Sequence, residues 1–189
     1  MFDKEHPYRQ LVSQISAWQL CSHPLVIVLS GCQGSGKSTL GRFLVDELTK
    51  QYDLNAVCVS LDDYYLSKDE RQVLANQGHP LFKTRGVPGT HHINQLISDI
   101  KAVKQGSSPI LFPVFDKLID QPSKAPHSVL LPIDILIVEG WCIGIGALTV
   151  DQRMQQENEL EKSFDGNMLW RNHYNQFLKQ AYQSAWQLF

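Results

Sequence analysis

Short apolar runs alternate with amphipathic segments along this chain. The runs at 25–29, 55–61 and 133–138 are rich in Val, Ile and Leu, and such runs predict buried strands. Apolar residues recur at helical spacing at 40–48 and 93–103, which predicts amphipathic helices. Because strands and helices alternate, we expect an α/β fold with a parallel sheet and with its ligand at the carboxyl ends of the strands.

Two further helix signals come from side chains at defined positions. Leu11, Val12, Ile15 and Trp18 share one face of a predicted opening helix. Thr90 is the predicted N-cap of the helix that follows it, since a hydroxyl there can accept from the first free backbone N–H groups.

Three segments between these elements have less regular patterns. Residues 66–88 sustain no period and are rich in Gly and Pro, so we interpret them as a loop or lid. Residues 110–112 are predicted to form a short third strand, and residues 116–132, with three prolines, an irregular segment. We therefore expect lid and acceptor loops at about 64–92 and 113–132.

The end of the chain has a long apolar stripe at helical spacing, and the chain stops while that stripe continues. Since only about four strands are predicted, we expect the sequence to be truncated at its C-terminus, with a further strand that would cover the stripe. We expect a single domain over 1–189. The stripe consists of Trp170, Tyr174, Phe177, Leu178, Ala181, Tyr182, Ala185, Trp186 and Phe189.

Composition excludes several classes of function. The 189 residues are 43% apolar with a net charge of −2, and no block of Lys or Arg is present, so we expect neither nucleic acid nor a membrane surface as partner. Four cysteines lie far apart without a C-x-x-C pair, so neither a zinc site nor a disulfide framework is indicated. No segment has the pattern of a signal peptide or membrane span. We therefore expect a cytoplasmic protein with a small-molecule partner.

One nine-residue segment carries specific chemistry. Gly31-Cys32-Gln33-Gly34-Ser35-Gly36-Lys37-Ser38-Thr39 fits G-x-x-x-x-G-K-[ST], the loop that wraps nucleotide phosphates. A flexible turn is the alternative, but a strand precedes this segment and a helix follows it, as the motif requires. We expect its backbone N–H groups and Lys37 to hold the phosphates of a nucleotide, and the Ser38 hydroxyl to bind Mg²⁺.

Carboxylates follow two of the predicted strands. Asp62 and Asp63 come after the second strand, where they are either turn or cap residues or a base for a substrate hydroxyl. Asp62 is the first choice as base, with a second contact to Mg²⁺ through water, and Asp63 is the second choice. Glu139 ends the apolar run 133–138, where it is either a metal-supporting acid or part of a salt bridge.

Two polar turns are candidates for the acceptor side. Arg85, in a Gly- and Pro-rich loop that ends at His91 and His92, either clamps a carboxylate or phosphate or is simply solvated. Asp116 and Lys117 form either a surface turn with an internal ion pair or a polar anchor for substrate hydroxyls.

Five motifs taken in order resemble a known family. The phosphate loop, Ser-Leu-Asp-Asp-Tyr-Tyr, Arg-Gly-x-Pro-Gly-Thr-His, Phe-Asp-Lys and Val-Glu-Gly-Trp look like the D-glycerate 3-kinase-like branch of the phosphoribulokinase, uridine kinase and pantothenate kinase superfamily. The resemblance covers about residues 20 to 189. It implies a P-loop kinase fold, a three-layer sandwich around a parallel sheet, that lacks its C-terminal strand and helix here.

The resemblance also implies site roles. Asp62 resembles the family's base, and Glu139 its metal-side acid. Tyr65 lies in the implied acceptor pocket, Arg85 and His91 match the substrate-side loop, and Asp116 matches the acceptor-binding turn. Two positions on the acceptor side depart from the family pattern. His92 stands where Asp is usual, and Asp120 is followed by Gln-Pro-Ser where an acidic–Arg pair is usual.

The sequence thus predicts an ATP- and Mg²⁺-dependent kinase that transfers the γ-phosphate to a hydroxyl of a small molecule, with D-glycerate as the first candidate. A uridine or other nucleoside kinase, or a pantothenate kinase, is the second, because aromatic residues could build a larger pocket. A P-loop ATPase or switch without an acceptor is the third. The aromatic residues are Tyr64, Tyr65, Phe82 and Phe115.

Overall fold

A parallel sheet of three strands lies at the centre of the computed structural model, which describes residues 7–21, 24–130, 132–155 and 158–189. Strand β7 (Ile135–Gly140) lies between β1 (Leu25–Ser30) and β2 (Ala56–Ser60) and pairs in parallel with both. All six residues of β7 are buried. This explains its uninterrupted apolar run, since a strand covered on both faces has no solvent side. The prediction of these three strands is confirmed.

Helices cover both faces of the sheet. On one face, α1 (Pro7–Gln19) and α2 (Lys37–Tyr52) bury apolar residues together with Ile135 and Ile137. On the other face, α4 (Ile93–Lys104) packs with Leu136 and Val138. Successive side chains of a strand point to opposite faces, so β7 alone supplies both cores. The result is the predicted three-layer α/β sandwich.

The opening helix forms as predicted, with one exception. Val12 and Ile15 are buried against α2, whereas Trp18 is 51% exposed and does not join them. The face that contacts α2 is therefore narrower than the sequence pattern indicated.

The predicted third strand forms with the expected bounds, but it does not join the parallel sheet. Strand β3 (Ile110–Phe112) pairs antiparallel with β6 (His127–Val129), outside the central sheet. Within the described ranges the parallel sheet thus has three strands, where about four were expected. The segment predicted as irregular holds a second antiparallel pair, β4 (Phe115–Asp116) with β5 (Gln121–Pro122). Both pairs are short, and a period of two cannot be recognised over two or three residues.

The predicted lid at 66–88 is also wrong in part, because it contains helix α3 (Lys68–Gln77) and a 3₁₀ turn (Pro80–Lys83). This helix buries only Arg71 and Ala75, so no apolar stripe marks it. A capping box was the available signal: the Ser67 side chain accepts from Glu70 N, and the Glu70 side chain accepts from Ser67 N.

Thr90 is not the N-cap of the next helix, since α4 begins at Ile93 after His92. Its hydroxyl instead donates to Val87 O and accepts from Gly86 N. The backbone of His91 bridges to Tyr65. This bridge precedes the start of α4 and joins the end of the Arg85 loop to Tyr65, which lies shortly after β2 in the chain.

The C-terminal stripe packs against the chain itself. Helices α5 (Val150–Met154) and α6 (Glu159–Phe164) lead to α7 (Leu169–Phe177), which continues through a π-helical turn (Leu178–Tyr182) into α8 (Gln183–Trp186). Leu178, Tyr182 and Ala185 are buried in the same core as α4. Within the described residues, the helices lack the length and apolar content needed to cross a bilayer.

Candidate functional site

The glycine-rich loop has the geometry that its sequence predicts. It joins β1 to α2, and Gly34 and Gly36 have φ values of +78° and +86°. These are left-handed conformations that glycine adopts without strain. Helix α2 begins at Lys37, whose Nζ donates to Cys32 O at 2.8 Å. The lysine ammonium therefore lies over the loop's own backbone, where phosphate oxygens would be alternative acceptors.

The end of β7 brings a carboxylate to this loop. Ser38 Oγ donates to Glu139 Oε1 at 2.9 Å, and Glu139 is buried. Both oxygens are hard ligands, and Mg²⁺ at nucleotide sites usually binds one or two protein oxygens together with phosphates and water. The described residues contain no cluster of three or more His, Cys, Asp or Glu that would hold a metal alone. The pair therefore fits Mg²⁺ that arrives with a nucleotide.

Asp62 lies at the end of β2, and both of its carboxylate oxygens have partners. Its backbone N–H donates to Ser60 Oγ at 3.3 Å and starts a 3₁₀ turn (Leu61–Tyr64). Tyr65 Oη donates to Oδ1 at 2.9 Å, and Lys117 Nζ donates to Oδ2 at 2.6 Å. Burial by itself raises the pKa of Asp62, but the hydrogen bonds from Lys117 and Tyr65 outweigh it, so that the pKa is lowered. Asp62 is thus held as an anion.

Asp63, the second candidate base, has a different environment. It accepts a hydrogen bond from Phe115 N at 3.1 Å, which fixes strand β4 beside β2. Burial raises the pKa of Asp63 despite this hydrogen bond. The two neighbouring carboxylates therefore differ: Asp63 supports the backbone of β4, and Asp62 faces the phosphate loop.

A cavity of about 210 Å³ joins these groups. It brings Asp62 and Lys117 to the same space as the Ser38–Glu139 pair and Lys37, although these residues are far apart in sequence. The full lining is Gln33, Gly34, Lys37, Ser38, Asp62, Lys117, Glu139, Gly140 and Trp141.

Arg85 belongs to a charged network. Its Nη1 donates to Asp120 Oδ1 at 2.5 Å, and its guanidinium lies 5.6 Å from the centre of the Phe115 ring. Asp120 also binds the buried Arg71, which in turn donates to Leu66 O at 2.6 Å. The arginine partners of Asp120 thus come from α3 and the Arg85 loop. The burial of Arg71 and its pairing with Asp120 were not predicted, because the sequence of a polar helix does not indicate which of its arginines will be buried.

His91 lies behind Tyr65. The two rings stack with centres 4.5 Å apart, and His91 Nδ1 is 2.6 Å from Tyr182 Oη. Its side chain is enclosed, and burial lowers the pKa of His91 to about 3, so the ring is neutral. In this geometry His91 fixes the ring of Tyr65, and His91 does not line the cavity at the phosphate loop.

The β4–β5 turn delivers Lys117 to the cavity. Asp116 Oδ1 accepts from Leu118 N at 2.9 Å and from Ile119 N at 3.3 Å, which closes the turn. The role of Asp116 in binding substrate stays a prediction.

Trp141 contributes to the cavity and was not among the predicted site residues. Its Nε1 donates to Gly86 O at 2.9 Å, which joins the Arg85 loop to the end of β7. The motif Val-Glu-Gly-Trp was the available signal.

Comparisons with known proteins agree with this geometry, although no protein-family model matches the chain. An uncharacterized kinase of Schizosaccharomyces pombe, mug58, is 32% identical over 160 residues, which are 79% of this chain and 57% of the relative. A pantothenate kinase of Yersinia pestis is 31% identical over 117 residues, 62% of this chain and 36% of the relative. A solved structure of D-glycerate 3-kinase from Cryptococcus neoformans has a TM-score of 0.73 at 27% identity, over 95% of this chain and 70% of that one.

These relatives differ in the substrates that their names give, and the chain spans less than two thirds of the length of either curated relative. They agree on the fold and on the type of protein. With the phosphate loop and the strand-end carboxylates, they identify the chain as a member of the P-loop kinase superfamily, with D-glycerate 3-kinase-like proteins among its neighbours.

Proposed function

We propose that this chain carries the catalytic core of an ATP- and Mg²⁺-dependent kinase whose acceptor is a hydroxyl of a small carboxylic acid, with D-glycerate as the first candidate. One observation carries the proposal: a single cavity holds the phosphate-loop lysine, an anionic carboxylate and a paired Ser–Glu oxygen set. Phosphoryl transfer needs these three components, which hold the phosphates, activate the acceptor and support the metal.

The donor side follows from the loop. The backbone N–H groups of 31–38 and the Lys37 ammonium bind the phosphates, and Lys37 exchanges Cys32 O for a phosphate oxygen. Ser38 and Glu139 would hold Mg²⁺ directly or through water, and Asp62 would contact it through water. When bound, the ion would supply positive charge to neutralise the transferring phosphoryl group.

The acceptor side follows from Asp62. Lys117 leaves Oδ2, so that the acceptor hydroxyl donates to this oxygen and loses its proton to it as the hydroxyl attacks the γ-phosphorus. The Lys117 side chain is 56% exposed and has room for this movement. Tyr65 keeps its hydrogen bond to Oδ1 and fixes the plane of the carboxylate, with His91 stacked behind it.

Arg85 binds the carboxylate of the acceptor in this proposal. Its present partner Asp120 is itself a carboxylate, so the site already shows the geometry in which the guanidinium holds such a group. Phe115 beneath the guanidinium limits its movement. An acidic acceptor therefore fits this side of the site better than a neutral one.

We expect the Arg85→Met variant to raise the KM for D-glycerate by about tenfold to a hundredfold, the range for losing a hydrogen bond to a charged group. The KM for ATP serves as the internal control and should change little, because Arg85 does not line the cavity at the phosphate loop. Steady-state kinetics with each substrate varied in turn measures both. An equal rise in the two KM values would contradict a carboxylate-binding role.

The contact between Lys117 and Asp62 leads to a prediction about the pH dependence of the reaction. Its hydrogen bond is the main contact that lowers the pKa of Asp62, so the Lys117→Met variant should raise that pKa. A base must be ionised to act. The acid limb of the pH profile of kcat/KM for the acceptor should therefore move to higher pH in the variant. In the wild type this limb lies at a pH below the ordinary pKa of an aspartate. The exposed Lys124 provides the matched control, Lys124→Met. An unmoved limb would show that Lys117 does not set the charge of Asp62.

A coupled assay of ADP release with D-glycerate, uridine, pantothenate and ribulose 5-phosphate tests the function as a whole. Turnover with D-glycerate alone supports the proposal, and turnover with uridine alone would overturn the acceptor. ATP hydrolysis that no added alcohol changes would favour the ATPase or switch.

The nucleoside and pantothenate alternatives rested on aromatic residues that would line a larger pocket. Tyr64, Tyr65, Phe82 and Phe115 are all buried. Tyr64 Oη also donates to Asp99 Oδ2 at 2.9 Å, which turns it away from the loop. These rings thus support the core and give no particular reason to favour a nucleoside acceptor.

A further inference from the structure

The apolar stripe at the end of the chain packs against the acceptor side of the proposed site. Tyr182 belongs to this stripe, lies in the π-helical turn between α7 and α8, and is fully buried. Its hydroxyl oxygen accepts a hydrogen bond from Gly89 N at 3.0 Å and lies 2.6 Å from His91 Nδ1. Both partners belong to the Arg85 loop. One side chain of the C-terminal helix is thus hydrogen-bonded to the backbone and to a side chain of that loop.

The same helix packs closely against the loop at Gly89. The φ value of Gly89 is +102°, and a Cβ atom at this position would overlap the ring of Phe177. Phe177 is the last residue of α7, directly before the π-helical turn that contains Tyr182. A glycine lets the loop pass this close to the helix, where any larger residue would clash. The backbone of the Arg85 loop is therefore seated on the C-terminal helix.

The direction of the hydrogen bond between Tyr182 and His91 follows from the protons available. Burial raises the pKa of Tyr182 well above its usual value, so its hydroxyl keeps its proton, and the ring of His91 is neutral. If the hydroxyl donates to Nδ1, only the proton on Nε2 of His91 lacks a partner among the described residues. In the other tautomer, the hydroxyl proton and Nε2 would both be unpaired. Since buried polar groups pair where they can, Tyr182 donates to His91.

His91 connects Tyr182 to the proposed base. Its ring stacks on the ring of Tyr65, with centres 4.5 Å apart, and Tyr65 Oη donates to Asp62 Oδ1 at 2.9 Å. The ring of Phe115 also contacts Tyr65 edge-on, with centres 5.5 Å apart. Because Tyr65 is buried, these neighbours determine the orientation of its ring. A continuous series of contacts therefore leads from the C-terminal helix to the carboxylate.

We propose that Tyr182 is a positioning residue for the acceptor side of the site. Its hydroxyl holds the Arg85 loop and the ring of His91. Through His91 it orients Tyr65, which in turn fixes the carboxylate of Asp62. The inference rests on the proposed kinase function and adds to it a part for the C-terminal helix. Tyr182 does not line the cavity at the phosphate loop, so it acts through these neighbours alone.

The main test is the Tyr182→Phe variant, which removes the hydroxyl and keeps the buried ring. We expect kcat/KM for the acceptor to fall about tenfold, the size expected for one lost hydrogen bond. The Kd for ATP with Mg²⁺ should not change, because the phosphate loop is untouched. Steady-state kinetics with the acceptor that the wild-type chain turns over, D-glycerate first, measures the former, and calorimetry measures the latter.

Tyr64 provides the matched control, since it is a second buried tyrosine whose hydroxyl is paired away from the cavity. Its Oη donates to Asp99 Oδ2 of α4, and its ring belongs to the same apolar core as Tyr182. The Tyr64→Phe variant should lose thermal stability, as Tyr182→Phe does, but keep wild-type kinetics with the acceptor. Thermal melting of both variants compares their losses of stability.

Two further variants test the connection through His91. The His91→Phe variant keeps a ring against Tyr65 but removes Nδ1, so it should also lower kcat/KM for the acceptor with an unchanged Kd for ATP. In the Tyr65→Phe background, the further change Tyr182→Phe should lower kcat by a smaller factor than it does in the wild type. The reason is that the hydrogen bond to Asp62, which Tyr182 supports, is already lost there.

Several outcomes overturn the inference. Unchanged acceptor kinetics in Tyr182→Phe or His91→Phe would do so, as would equal kinetic losses in Tyr182→Phe and Tyr64→Phe. A loss of ATP affinity as large as the loss for the acceptor would mean that Tyr182 supports the whole domain. Independent effects of the Tyr65 and Tyr182 changes on kcat would exclude the connection through Tyr65. All of these results leave the kinase proposal intact, whereas a wild-type chain that phosphorylates no acceptor would overturn both.

Discussion

Replacing Asp62 with Asn is expected to lower kcat by about 10²–10⁴-fold, the usual contribution of a general base. The amide has nearly the shape of the carboxylate and still accepts a hydrogen bond from Tyr65, but it cannot take a proton from the acceptor hydroxyl. Nucleotide binding should change little, because the loop and Lys37 are untouched. Single-turnover phosphoryl transfer and ATP binding measure the two effects separately.

The adjacent carboxylate supplies the control for that experiment. The Asp63→Asn variant changes the same group one residue further on, and the amide oxygen still accepts from Phe115 N. Since Asp63 does not line the cavity at the phosphate loop, we expect near wild-type kcat. If Asp63→Asn lost activity and Asp62→Asn kept it, the assignment of the base would be reversed.

Replacing Lys37 with Ala is expected to lower kcat by about 10²–10³-fold, comparable to the loss of one preorganised donor to a developing oxyanion. The ammonium is at the cavity and its present partner is only a backbone carbonyl, so a phosphate oxygen can take its place. The effect should fall mainly on kcat, because charge on the phosphoryl oxygens changes most in the transition state. Steady-state kinetics with saturating acceptor measures it.

Lys50 is the matched control for the lysine. It belongs to the same helix at its far end, where it pairs with Asp46 at 3.7 Å on the surface. The Lys50→Ala variant should keep wild-type kinetics. Equal rates for Lys37→Ala and the wild type would contradict the central assignment of the phosphate loop.

The donor half of the site could be predicted from the sequence because its components are local. The phosphate loop is contiguous, and its glycines, lysine and serine act through backbone geometry that nine residues specify. Glu139 could also be placed, since a buried parallel strand delivers its last residue to a known edge of the sheet. Strands β1, β2 and β7 were recognised from their uninterrupted apolar runs, although only β7 is buried along its whole length.

The acceptor half could be predicted only in part. Asp62 and Asp63 look alike in sequence, and only their partners distinguish them: Lys117 and Tyr65 for one, the backbone of Phe115 for the other. Whether Arg85 was solvated or paired was undecided, because Asp120 is 35 residues away in sequence. Helix α3 was missed since tertiary contacts of Arg71, and not an apolar stripe, hold it in place.

By itself, then, the sequence determined that a strand, a phosphate-binding loop and a helix follow one another, and that carboxylates end two strands of the same sheet. Those features depend on periodicity and on local backbone conformation, which neighbouring residues fix. Only the tertiary structure decided which carboxylate faces the loop, that Lys117 holds it as an anion, and that Tyr182 contacts the Arg85 loop. These contacts join residues far apart in the chain, and their geometry depends on how the helices and turns pack around the sheet.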